Sequence, residues 1–326
     1  MKAILYHTYG SADVLSYVDV EKPAPADDEV LVRIRAAAAN PMDYHLMRGA
    51  YAIRPMIGLR RPKSPRMGSD LAGEVEAVGR NVRRLKPGDA VFGASRGAFA
   101  EYVCAPEGKL ALKPGNLTFE QAAAVPVAGL TALQGLRDGA RIQRGQTVLI
   151  NGAAGGVGTF AVQIARTFGA EVTGVCRTGN VDLVRSLGAD HVIDYTREDF
   201  TRGGRYDLLF DCVGNRSVLA CRRALRPTGA YVAIGVRPGG RWIGPLRRML
   251  ALLVAKPFIG RRVRFFMARV NADDLAALKV LIEAGKVTPV VDRRYPLRDA
   301  PEAIRYLEAG HARGKVVITV DDRERA

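Results

Sequence analysis

Cysteine and histidine are scarce in this 326-residue chain, with four of each. Cys104, Cys176, Cys212 and Cys221 form no C-x-x-C pair, and His7, His45, His191 and His311 stand far apart. Neither a zinc ribbon nor a histidine-rich metal cluster is encoded by such spacing. Scattered cysteines also argue against a disulfide scaffold and for reduced thiols, as in a cytoplasmic protein. Long hydrophobic runs are absent too: nothing approaches the roughly 18 consecutive apolar residues of a membrane span. The opening Met1–His7 carries too short an apolar run for a signal peptide and reads as a first strand. Acidic residues are in deficit, 33 against 49 Lys and Arg, which leaves a formal charge of +16. A basic balance can mark nucleic-acid or anionic-membrane binding. Here the arginines are dispersed as pairs (Arg60-Arg61, Arg222-Arg223, Arg247-Arg248, Arg261-Arg262) with no nucleic-acid signature beside them. A solvated basic surface is the simpler reading, and no specific nucleic-acid partner is expected.

What is present divides the chain by style. Residues 1–121 read as β-rich, with short strands such as Val30–Arg35 and Gly73–Val78 punctuated by Pro and Gly. From Ala122 helices and strands alternate, with strands expected near 146–151, 171–176, 191–194, 206–213 and 229–235. Alternation of that kind implies a parallel sheet covered on both faces, hence an α/β fold. A further strand is expected at Arg262–Met267, and strands at Val287–Val291 and Lys315–Val320 with a helix through Ala303 and Leu307 between them. The expected partition is 1–121 plus 271–326 against 122–270. The run Arg247–Lys256 reads as a helix packed on the sheet or across a dimer interface rather than an interfacial membrane helix, because Pro257 closes it early. A strand at 263–267 would leave a sheet edge for a second subunit to cover, so a homodimer is expected.

The richest local signal is Asn151-Gly152-Ala153-Ala154-Gly155-Gly156-Val157-Gly158. It follows the apolar Thr147–Ile150 and precedes Val157, Phe160, Ala161, Ile164 and Phe168, which share one helix face. A glycine-rich turn between strand and helix lets backbone N–H groups approach a pyrophosphate, and the helix dipole favours its charge. A second strand, Glu171–Cys176, completes the βαβ unit. NAD-specific sites place an acid at that strand's end; here Cys176 and Arg177 stand there, which favours NADPH through the 2′-phosphate unless Arg177 merely points to solvent.

These segments, with Asn40-Pro41-Met42-Asp43, Gly68-Ser69-Asp70-Leu71-Ala72-Gly73, Gly188-Ala189-Asp190-His191-Val192-Ile193-Asp194 and Gly314-Lys315-Val316-Val317, resemble the zinc-independent, quinone oxidoreductase-like branch of the medium-chain dehydrogenase/reductase superfamily along essentially the whole chain. The resemblance implies a Rossmann doubly wound parallel sheet inserted in a β-rich, GroES-like, partly open barrel domain. It implies cofactor contacts at Thr131, Val213, Gly214, Ile234, Gly235 and Lys315, although Val213 and Ile234 fit a structural role equally well. It also argues against a metal. Asn40 stands where the alcohol dehydrogenase branch has a zinc-binding cysteine, Ser69-Asp70 replaces its His-Glu pair, and residues 76–120 hold only Cys104 in place of a four-cysteine loop.

Without zinc a simple ketone lacks its electrophile. A conjugated acceptor, a quinone or α,β-unsaturated carbonyl, spreads the incoming charge over its own oxygen. The candidate catalytic set is Tyr51, Asn40 and Asp43. Tyr51 is the phenol donor to the developing enolate or the group placing a donor water, Asn40 bonds the substrate oxygen or nicotinamide, and Asp43 organises the loop. The plainer readings are a loop anchor for Tyr51 and a helix cap for Asp43. Arg54, Arg60, Arg61, Lys63 and Arg66 lie in an adjoining proline-rich loop, suited either to attracting acidic acceptors or to plain solvation. Two other functions fit the same residues: enoyl-thioester reduction, and non-catalytic dinucleotide binding with a nucleic-acid-binding surface.

Overall fold

The computed structural model describes residues 1–234 and 263–320. Two compact units emerge: Met1–Val127 with Val270–Gly285 and Pro289–Ala326, and Ala128–Arg269 with Lys286–Thr288. The first unit's opening segment runs to Val127. The short helix Phe119–Ala123, capped by Thr118, packs its buried Ala122 and Ala123 with the first unit's strands.

The second unit is built on six parallel strands in the spatial order His191–Asp194, Glu171–Cys176, Thr147–Asn151, Tyr206–Asp211, Leu225–Ala233, Val263–Phe265. The two central strands, TVLIN and YDLLFD, are buried through their second halves, as a sheet covered on both faces requires. Helix Gly156–Thr167 buries every residue from Gly158 to Ala165. The strand expected at Arg262–Met267 is shorter, Val263–Phe265, and forms the sheet edge among the described residues. The helix expected at Arg247–Lys256 and the cofactor contact expected at Gly235 lie outside the described residues.

In the first unit a seven-stranded sheet carries the core. Its order is Val291–Pro296, Lys315–Thr319, Glu29–Ala39, Asp70–Val78, Ala90–Ala94, Leu110–Leu112, with Tyr102–Pro106 also paired to Glu29–Ala39. A separate hairpin-like pair joins Lys2–Leu5 to Ser16–Asp19. This is the β-rich GroES-like half, and the molecule is α/β with a Rossmann sheet, as the sequence implies.

One strand is displaced from its expected place. Val287–Val291 is not extended pairing; the strand starts at Val291 and runs to Pro296. Residues 286–288 are claimed by the other unit instead. Gln163, buried on helix Gly156–Thr167, accepts from Thr288 N through Oε1 at 2.8 Å and donates to Thr288 O through Nε2 at 3.0 Å. One side-chain amide thereby satisfies both backbone groups of a residue that pairs with no strand. No described helix is long and apolar enough to cross a membrane. Replacing Gln163 with Leu keeps the volume and removes both bonds, and a loss of about 1–3 kcal/mol in urea unfolding is expected.

Candidate active site

Each unit carries one cluster of chemistry-bearing residues. In the second unit, strand Thr147–Asn151 leads into a tight turn, and Gly155 caps helix Gly156–Thr167. Gly152 has φ +85°, where an added Cβ would sit 2.5 Å from Val213 Cγ2. At Gly158 a Cβ would lie 2.0 Å from Gly152 O. Both positions therefore exclude side chains, and the turn presents bare backbone. The N–H groups of Gly156, Val157 and Gly158 open the helix, where an α-helix leaves its donors unpaired and its dipole positive. Gly152 N and Ala153 N donate to Val175 O at 3.1 and 3.0 Å, which fastens the turn to the neighbouring strand. Ala153 and Ala154 are buried beneath it. A pyrophosphate fits this cradle.

The turn is braced by a residue that sequence reasoning missed. Asp211, fully buried at the end of strand Tyr206–Asp211, accepts through Oδ1 from Asn151 Nδ2 (2.9 Å), Val213 N (3.1 Å) and Gly214 N (2.8 Å). Through Oδ2 it accepts from Tyr231 OH at 2.7 Å. The N–H groups of Val213 and Gly214 are thus committed to Asp211, and Val213 lies against Gly152. Ile234 N donates to Asp211 O at 2.9 Å. The available signal was an aspartate closing an apolar run, Leu208-Leu209-Phe210-Asp211.

Cys176 ends the second strand, and burial pushes its thiol up to about 11, so it is neutral and inert. Arg177 follows it, half-buried and without an ion-pair partner among the described residues. The neighbouring Asp194, in register with Cys176, is already engaged. Its carboxylate accepts from Thr178 Oγ1 (2.6 Å), Thr196 Oγ1 (2.8 Å) and Thr196 N (3.0 Å), bonds that hold its pKa low. Thr131 is buried in helix Pro126–Gln134.

The first unit's cluster sits where three strands meet. Strand Glu29–Ala39 ends at Asn40, which caps helix Pro41–Arg48; Asn40 N donates to Asp43 Oδ2 at 2.8 Å in a capping box. Asp70 opens the strand beside it, opposite Ala38, and Lys315 opens the strand on its other side, where Val316 faces Ala39. Lys315 Nζ donates to Asn40 Oδ1 at 2.6 Å and Asp70 Oδ2 at 3.0 Å. Asn40 Nδ2 donates to Asp70 Oδ2 (2.9 Å) and makes longer contacts with Ser69 Oγ (3.3 Å) and Ala38 O (3.4 Å). Asp70 Oδ1 accepts from Val127 N at 2.9 Å, in the first turn of the following helix. The Lys315 and Asp70 side chains are 4% and 0% exposed, so this is a buried ion pair, supported by the Asn40 carboxamide and Val127 N. Ser69 Oγ approaches Asp43 Oδ1 at 3.4 Å. Burial, then the charge of Asp70, pushes the Asp43 carboxyl up to about 7.

This geometry brings Asn40, Asp43 and Lys315 together and adds Ser69 and Asp70. Lys315, which the resemblance assigns to the cofactor, is buried against Asn40 and Asp70. Tyr51 stands apart as the first residue of a 3₁₀ turn, 40% exposed, with its ring 4.2 Å from the Arg54 guanidinium carbon. Arg54 also lies 4.7 Å from the Tyr9 ring and donates to Gly49 O at 2.9 Å. The donor set does not suit zinc. An ammonium occupies the space between Asn40 and Asp70, and the described residues hold no group of three or more His, Cys, Asp or Glu able to take a metal.

Two family models match the chain, "Alcohol dehydrogenase GroES-like domain" over residues 26–115 and "Zinc-binding dehydrogenase" over 187–318. An NADPH-dependent alkenal/one oxidoreductase of Arabidopsis thaliana chloroplasts is 36% identical, over 98% of this chain and 79% of its own length. A quinone oxidoreductase from Coxiella burnetii superposes with a TM-score of 0.86 at 32% identity, covering 98% of this chain and 99% of its own. The chain belongs to the quinone oxidoreductase-like branch of the medium-chain dehydrogenase/reductase superfamily. A quinone oxidoreductase of Escherichia coli complexed with NADPH superposes with a TM-score of 0.82 at 27% identity, over 98% of this chain and 100% of that one. The zinc in the second model's description has no counterpart in the donors found here.

Lys315→Met strands the Asp70 carboxylate in the interior, and a loss of about 3–5 kcal/mol in chemical unfolding is expected. Pairing it with Asp70→Asn removes the orphaned charge and should restore much of that loss.

Proposed function

We propose that the chain reduces quinones and α,β-unsaturated carbonyls with NADPH. The observation that carries this reading is the Lys315 ammonium, salt-bridged to Asp70 where a catalytic zinc would need ligands. With no Lewis acid supplied by the protein, the acceptor has to delocalise the incoming charge itself, and conjugated carbonyls and quinones do so. The alkenal/one and quinone specificities named for the relatives agree with that chemistry.

When bound, the reduced nicotinamide supplies the hydride. The chain's own residues do the rest. The Gly152–Gly158 turn holds the pyrophosphate on bare backbone, with Asp211 and Asn151 keeping the turn in shape. Arg177, without an ion-pair partner among the described residues, offers its guanidinium to the 2′-phosphate, while Asp194 is occupied by Thr178 and Thr196 and competes little for it. Tyr51 donates its phenol to the acceptor oxygen as charge develops there. The carboxamide of Asn40 spends its donors and acceptor inside the protein, so we assign it to the frame with Asp70 and Lys315. The open strand Val263–Phe265 is our candidate for the edge through which two copies pair.

NADPH oxidation measured against 1,4-benzoquinone, methyl vinyl ketone, crotonyl thioester and a saturated ketone tests the reading. Turnover with quinone and enone and none with the saturated ketone is expected; preference for the saturated ketone overturns it, and exclusive use of the thioester replaces it with enoyl-thioester reduction. Arg177→Glu should raise the Kd for NADPH at least about tenfold and spare NADH, since a charge-assisted phosphate contact becomes a repulsion. Light scattering on the purified protein is expected to give twice the chain mass.

A further inference from the structure

Ser69 is the one half-buried member of an otherwise buried network made by Asn40, Asp43, Asp70 and Lys315. Its hydroxyl lies 3.3 Å from Asn40 Nδ2 and 3.4 Å from Asp43 Oδ1. The other Asp43 oxygen accepts from Asn40 N, and the contact of Oδ1 among the described residues is with Ser69 Oγ. We propose that Ser69 is a catalytic residue that delivers a proton to the reduced acceptor, and that Asp43 supplies that proton from behind it. The proposal rests on the enone-reductase reading above.

The hydrogen-bond direction provides the device. With Asp43 ionised, Ser69 donates inward to it. With Asp43 protonated, Oδ1–H donates to Ser69 Oγ, which then accepts from both Asp43 and Asn40 and turns its own hydrogen outward. After hydride arrives at the β-carbon, the alkene π pair sits on an enolate. The enolate α-carbon forms a C–H bond as the Ser69 O–H breaks, and Ser69 takes the Asp43 proton. Asp43 is left as a carboxylate, which regains a proton from water. Tyr51, as assigned above, serves the enolate oxygen, a different atom. A quinone needs no carbon protonation, because its product oxyanions take protons from water.

The charged surroundings suit a carboxyl that is neutral much of the time. Asp43 is pushed up to about 7 by burial first and by Asp70, against Asn40 N, Lys315 and Ser69. Tyr6, whose own pKa is raised by burial, faces it with Arg96 and Tyr9 nearby. On the same helix, burial pushes the His45 imidazole down while Glu308 pulls it the other way. Since the protonated form is the active one, enone turnover should decline as pH rises through about 7 while quinone turnover does not follow.

The test measures kcat for methyl vinyl ketone and for benzoquinone from pH 5.5 to 9, with NADPH affinity by fluorescence as a check on folding. Asp43→Asn keeps the cap acceptor for Asn40 N and removes the titrating proton. Ser69→Ala removes the relay and Ser69→Thr keeps it. Loss of about 10²-fold in enone kcat for Ser69→Ala is expected, as for a missing general acid. Quinone kcat and NADPH affinity should hold, Ser69→Thr should restore enone turnover, and Asp43→Asn should abolish the decline near pH 7. Enone kcat in Ser69→Ala within about threefold of wild type, with an unchanged pH profile, overturns the relay while leaving the reductase reading intact. A wild-type protein that reduces no enone overturns that reading first, and the relay with it.

Discussion

A lysine ammonium buried against an aspartate is the constraint on which the first unit depends. Lys315 and Asp70 sit at the ends of strands flanking Glu29–Ala39, and both reach the residue that follows that strand, Asn40. An unpaired charge at this depth costs several kcal/mol, so the pair holds only while each strand keeps its place. A one-residue slip of Lys315–Thr319 would turn the lysine to the other face of the sheet and strand both charges. Asp70 extends the constraint to Val127 and the first turn of the next helix, where a carboxylate also meets the positive end of the dipole. Register, loop shape and the Asn40–Asp43 cap are thereby linked through one ion pair.

The second unit meets a related problem by gathering hydrogen-bond donors around a single carboxylate. Asp211 is fully buried, yet four donors converge on it, two of them backbone N–H groups of the following loop. What the loop gains is shape: Val213 is set against Gly152, and the glycine turn is confined between two strand ends. The glycines are then a steric necessity, because Gly152 and Gly158 have no room for a side chain. The loop geometry comes from this close approach of backbone to backbone.

Local periodicity explains what could be read without coordinates. The alternation of helix and strand after Ala122, the glycine turn and the helix face through Phe160 and Ile164 are each set by residues within a few positions of one another. The strand at Val287–Val291 was misplaced because that segment is decided at a distance, by Gln163 reaching Thr288 across 125 positions. Lys315 was singled out only through the family resemblance, and its direction could not be read, since the two oxygens that draw it inward are 275 and 245 positions away. Asp211 carried no motif at all. Its role exists only once Asn151 and Tyr231 have been brought to it by sheet pairing.

The two clusters together define what chemistry the protein can contribute. A zinc ion holds a formal charge that its ligands only partly cancel, so it can polarise a carbonyl directly. The Lys315 charge is cancelled by Asp70 and its ammonium donates to Asn40 and Asp70, which makes it a structural cation rather than a Lewis acid. The electron demand of hydride transfer must then be met within the acceptor's own conjugated system. For an enone that solution creates a second requirement, a proton for a carbon atom, which water serves poorly inside a protein. Replacing the metal by an ammonium thus shifts the burden from electrophilic activation to proton supply. Ser69, in contact with both Asn40 and Asp43 at the half-buried end of the network, is placed to carry it.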